Sequence, residues 1–110
     1  MSTIMAQRTD ELEYLVLQAV ANDFEEFGMI VSDIAKWTSG NQSTPDHRHI
    51  EQALMAAIAR EEITAYECSE TTNQLITTQA DTQKLRELWF YITEQGKTRM
   101  QRLEAMEEEG

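Results

Sequence analysis

Apolar residues fall at helical spacing in the first quarter of the chain. Leu12, Leu15, Val16, Ala19, Val20 and Phe24 recur every three or four positions, which places them on one face of a helix. Glu11, Glu13, Gln18, Asp23 and Glu25 lie off that stripe. Thr9-Asp10-Glu11 supplies an N-cap and first-turn acids that complement the helix dipole, so the helix is expected to open there. Gly28 is its expected stop, and residues 1–8 read as a flexible leader. Met29-Ile30-Val31 is an apolar run too short for a helix and reads as a three-residue strand. Ser32 reads as the N-cap of a short helix from Asp33 to Thr38, with Ile34, Ala35 and Trp37 as its apolar set. Ser39 to Ser43 is a turn by composition.

Thr44-Pro45 marks the next helix start, with Thr as N-cap and the one proline at the first helical position. Ile50, Leu54, Ala57 and Ile58 form its buried stripe, and it ends near Arg60-Glu61. The period then changes. Glu62 to Cys68 mixes β-branched and aromatic residues and predicts a strand. Residues 69–84 are rich in Ser, Thr, Asn and Gln and read as a long loop, with Leu75-Ile76 either anchoring it or forming an extra short strand. Leu88 to Ile92 is the clearest strand signal. It is expected to pair with 62–68 as an antiparallel hairpin packed on the helices. Thr93 caps a last helix with Met100, Leu103 and Met106 as a narrow apolar stripe, and 107–110 is an acidic tail.

Composition then narrows the function. The chain has 110 residues, the size of one domain, and 41% of them are hydrophobic, an ordinary soluble proportion. Twenty acids oppose nine Lys and Arg, for a net charge of −11. Segments 1–45, 46–62, 63–96 and 97–110 carry −5, −2, −3 and −1, so no segment is basic. That charge opposes nucleic acids and anionic membrane surfaces, both of which draw affinity from Lys and Arg. No apolar run approaches the roughly 20 residues that span a bilayer. With no signal-like N-terminus and a single cysteine, Cys68, the expected compartment is the cytoplasm.

Element order and punctuation together resemble a winged helix-turn-helix domain of the kind found in bacterial transcription regulators. Ser32 to Trp37 looks like the first helix of the helix-turn-helix, and Thr44 to Arg60 stands where the recognition helix would. Trp89 to Ile92 looks like a last wing strand running into the Thr93-Glu94-Gln95-Gly96-Lys97 start of a final helix. The physical content of that last stretch is a strand end, a Thr N-cap and a glycine where helix meets sheet closely. The resemblance implies an α+β, mainly helical fold over residues 9–106: a three-helix core, a β-hairpin wing with a long loop, and a C-terminal helix. It also implies regulation of transcription through DNA. Arg48 and Gln52 would then reach base edges, and His47 and Lys36 the backbone. Lys84 and Arg86 would be the wing's bases, offset by Glu70 and Asp81.

Other chemistry is sparse. His47-Arg48-His49 lies at a helix N-terminus, where phosphate is favoured. It makes a poor metal site, because His residues at i and i+2 do not share a helix face. Cys68 has no nearby cation to lower its pKa and reads as a strand thiol. Trp37, Trp89, Phe90 and Tyr91 read as core. No Gly-rich phosphate loop, nucleophile elbow or Cys/His pair is present, so no enzyme, catalytic residue, cofactor or metal is expected. The Met100-Leu103-Met106 stripe is either core or a homodimer seam. Two functions follow: a winged-helix regulator acting on DNA, or an acidic module of the same fold that binds a protein partner.

Overall fold

The core is built on one face of a four-stranded antiparallel sheet in the order β1-β4-β2-β3. The structure, a computed structural model, describes residues 2–38 and 45–109, and side chains within 11–38 and 45–105. Its elements are α1 Ser2–Ala19, β1 Glu25–Glu26, α2 Phe27–Thr38, α3 His47–Ala59, β2 Ile63–Cys68, β3 Leu75–Thr77, a 3-10 turn Leu85–Glu87, β4 Trp89–Ile92 and α4 Glu94–Glu109. This is an α+β protein, mainly helical, as the sequence predicts.

Alternation along β2 and β4 explains the sheet's two faces. Ile63 and Ala65 on β2 and Phe90 and Ile92 on β4 are buried against the helices. Thr64, Tyr66, Trp89 and Tyr91 alternate to the outer face and are half-buried. Ile63 pairs with Ile92 and Ala65 with Phe90, so the two buried sets meet in register. From the helices come Val16, Leu17, Ile30, Ile34, Ile50 and Leu54, and from the turn after α1 comes Val20, each fully buried.

The N-terminal third differs from its expected form. α1 begins at Ser2, so the Thr9 start lies inside the helix and residues 2–8 of the expected leader are helical. It ends at Ala19, well before Gly28. Asn22-Asp23 break it, and Asp23 Oδ1 accepts a hydrogen bond from the Phe24 N–H at 2.8 Å. Phe24 therefore leaves the helical stripe. Its ring stacks on Tyr91 at 5.0 Å between centroids and meets Tyr66 edge-on at 5.1 Å, on the outer sheet face. β1 follows and pairs Glu25 with Phe90 and Glu26 with Trp89.

Met29-Ile30-Val31 is not a strand. It belongs to α2, which starts at Phe27 and buries Phe27, Ile30, Ile34 and Thr38. Trp37 is not core either, being 45% exposed. Thr38 Oγ1 donates back to the Ile34 carbonyl at 2.8 Å in the last turn. Thr44, the expected N-cap of the next helix, lies outside the described residues.

α3 ends in a Schellman-type turn. The Glu61 N–H donates to Ile58 O and the Glu62 N–H to Ala57 O, with Glu61 left-handed at φ 62°. Thr93 Oγ1 donates to the Glu61 carbonyl at 2.6 Å and accepts from the Gly96 N–H at 3.0 Å. The expected Thr93 cap is thus observed, and it also ties α4 to the end of α3. Segment 69–84 contains a hairpin, as one of the two expectations for Leu75-Ile76 had it: β3 pairs with β2, and the Ser69 N–H donates to Gln74 O at 2.8 Å across the turn. The chain then returns along the helices, burying Leu85 and Leu88, and enters β4.

Candidate nucleic-acid interface

His47 and Arg48 open α3. The N-cap is Asp46, whose Oδ1 accepts from the Arg48 N–H at 3.4 Å, so Pro45, expected at the first helical position, precedes the helix. Asp46 is extended at φ −64° and ψ 146°, the usual N-cap geometry. Ile50, Leu54 and Ala57 turn into the core, so Arg48 and Gln52, four residues apart, share the outward side and are exposed. His49 is exposed beside them.

The return segment supplies the second flank. Arg86 is exposed, with its guanidinium 6.0 Å from the centre of the Phe27 ring, in cation–π range. His47 meets the same ring edge-on at 6.4 Å. Phe27 thereby brings together His47 and Arg86, which lie 39 positions apart in sequence. With Gly28, Met29, Val31 and Glu26 they line an open groove of about 430 Å³ between the starts of α2 and α3. Lys84 lies further along, beside Met55 of α3, in a second depression that also includes Asp81. Lys36 is exposed on the last turn of α2.

Sequence reasoning missed Phe27 and Met29. Phe27, Ile30, Ile34 and Thr38 are spaced 3, 4 and 4 apart, a helical stripe that would have revealed both the helix and this ring. Arg86 over Phe27 is a tertiary contact with no local signal.

Acids share this surface. Glu26 lines the groove, Asp46 caps α3, and Glu51 is half-buried on α3. Glu25, on the neighbouring edge strand, has its carboxyl held above the usual carboxylate range. Burial is the main cause, followed by the charges of Asp33 and Asp23. Its Oε2 is buried with no hydrogen-bond partner.

Two other arginines are consumed internally at the far end of α3. Arg60 Nε lies 3.1 Å from Glu62 Oε2, and Arg60 Nη2 lies 3.3 Å from Glu13 Oε1. Arg99 Nη1 donates to both Glu62 oxygens at 3.0 and 3.1 Å, and its Nη2 to Glu13. The network joins α1, the α3 turn, β2 and α4. Burial opposes the Arg99 charge, but the hydrogen bonds and charges of Glu62 and Glu13 outweigh it and hold the guanidinium pKa above its ordinary value.

The remaining expected sites sit elsewhere. Leu103 is buried in the core and Met100 is half-buried against it, so these two of the three seam residues face the protein's own interior. The Met106 side chain lies outside the described set. Cys68 is exposed near the end of β2, with its thiol 3.8 Å from Asn73 Oδ1. Among the described residues no three His, Cys, Asp or Glu side chains converge as metal ligands would, and no helix is long and apolar enough to cross a membrane. Comparison of the chain with protein-family models, with curated proteins and with solved structures found no match.

Proposed function

We propose that this chain is a winged helix-turn-helix regulatory module that contacts DNA through α3 and the return segment. The observation that carries the reading is the division of its cations. Arg60 and Arg99 are held by Glu13 and Glu62 at one end of α3. Arg48 and Arg86, with His47, are exposed around its other end. A net charge of −11 therefore coexists with two exposed arginines at this end of the molecule, beside Asp46 and Glu26. Further support comes from element order: three helices precede a β-sheet and a last helix follows it, and the short strand between α1 and α2 pairs with the strand before α4. Arg48 and Gln52 are the base-edge residues of this reading, and Lys36, His47, Lys84 and Arg86 contact phosphates.

A second reading has its own observation. Met29 and Trp37 lie eight residues apart on α2, hence on one side of it, and are 47% and 45% exposed. Exposed Met and Trp flanked by acids suit a basic protein partner better than a phosphate backbone. Backbone amide shifts separate the two. Under the DNA reading, adding mixed-sequence duplex moves the amides of 46–52 and 84–87. Duplex that moves none of these, with a lysine-rich peptide that moves the Trp37 indole, would favour the protein reading.

A further inference from the structure

The open edge of the sheet is unusually bare. β3 pairs with β2 on one side, and among the described residues no strand pairs with its other side. Exposed edges are templates for further pairing, and proteins commonly guard them with charge or proline. Here residues 71–80, Thr-Thr-Asn-Gln-Leu-Ile-Thr-Thr-Gln-Ala, hold neither, in a chain of which 26% is charged. Ile76, at the centre of β3, is 45% exposed.

Register decides which backbone groups are open. The Ser69 N–H bonds Gln74 O, and the Thr78 N–H bonds Ala65 O. Alternation along an antiparallel ladder then makes Glu67–Ile76 a hydrogen-bonded pair, so Ile76 turns its N–H and C=O towards β2. Leu75 and Thr77 turn theirs outward. These are two donors and two acceptors, placed symmetrically about Ile76.

We infer that β3 pairs antiparallel with β3 of a second copy of this chain, about a two-fold axis at Ile76. Leu75 then faces Thr77 of the second copy and exchanges both hydrogen bonds with it, and the mirror pair does the same. Ile76 meets Ile76 of the second copy as a non-hydrogen-bonded pair, with Cα atoms about 4.5 Å apart. Charge argues for this occupant. Two molecules of −11 repel wherever their acids meet, and residues 71–80 are an uncharged stretch through which they can approach. Charge also argues that pairing stops at two. The opposite edge, β1, is two residues long and is Glu25-Glu26, so β3 has no matching edge to propagate a fibre. Three paired residues bury far less than the roughly 1,200 Å² of a firm interface, so the dimer is weak and reversible.

Sedimentation velocity across a concentration series tests the pairing, with Ile76→Lys alongside. The expected result is reversible growth from 12.7 kDa towards twice that mass, with association at least about tenfold weaker in the variant and unchanged circular dichroism. A chain that stays monomeric to about 1 mM, a dimer that Ile76→Lys leaves intact, or growth beyond two copies would overturn the inference. Register is tested in a Cys68→Ser background. Ile76→Cys should cross-link between copies under mild oxidation much faster than Thr72→Cys, and equal rates would overturn the two-fold register.

Discussion

Gly96 lies against the Glu62 carbonyl so closely that a Cβ on it would stand 2.1 Å from that oxygen and 2.7 Å from Ile92 Cγ1. The obstacle is backbone and cannot swing aside. α4 starts there because Thr93 caps it, and Thr93 also holds the α3 turn. One point thus joins α3, β2, β4 and α4. Gly96→Ala must push α4 off the sheet and is expected to cost about 2–4 kcal/mol. Gly28→Ala is the contrast: nothing lies within 4 Å of its added methyl, and helix propensity favours it by about 0.5 kcal/mol. Urea denaturation of both variants should show opposite signs.

Glu61 is left-handed at φ 62° where a Schellman turn favours glycine. Its part in the turn is through its backbone, which glycine keeps. Glu61→Gly should therefore raise stability by about 0.5–1 kcal/mol, relief of left-handed strain outweighing the entropy of the freer unfolded chain. Loss of stability in the same denaturation assay would show that the carboxylate contributes.

Glu25 should make stability depend on pH in a defined direction. Its folded carboxyl holds a proton more tightly than the unfolded one, because burial and Asp33 and Asp23 disfavour its charge. At neutral pH the ionised group therefore costs stability. That cost disappears as pH falls through the raised folded value towards the ordinary glutamate value of about 4.3. Glu25→Gln should be more stable than the parent chain by about 0.5 kcal/mol at pH 7, since the site is only partly buried. The difference should close towards pH 4. A difference constant across that window would contradict the assignment.

Much of this frame is legible in the residues, and the illegible parts share a cause. β2 and β4 announce themselves because their β-branched and aromatic residues are local. Thr93 and Gly96 carry their roles in residue type, one as a cap and one as a close approach. β1 carries no such signal: Glu25-Glu26 is a strand because Phe90 and Trp89 lie beside it, not because two glutamates favour extension. Missing β1 shifts the start of α2, which makes Gly28 look like a stop and Met29 to Val31 like a strand. The Arg99 contacts with Glu13 and Glu62 span 86 and 37 positions and leave no local trace. The groove is hidden for the same reason, since Arg86 and His47 meet only through Phe27.

The most direct test of the proposed interface is a fluorescence-anisotropy titration of labelled mixed-sequence duplex across a salt series, with Arg48→Ala and Arg86→Ala beside the parent chain. The account predicts log affinity falling linearly with log salt at a slope of about −3, for phosphate contacts by the cations Lys36, Lys84 and Arg86. Arg86→Ala should flatten that slope by about one, whereas Arg48→Ala, at a base-edge position, should weaken binding with little change of slope. Absence of binding at about 20 mM salt, where screening is weak, or a slope that Arg86→Ala leaves unchanged, would contradict it.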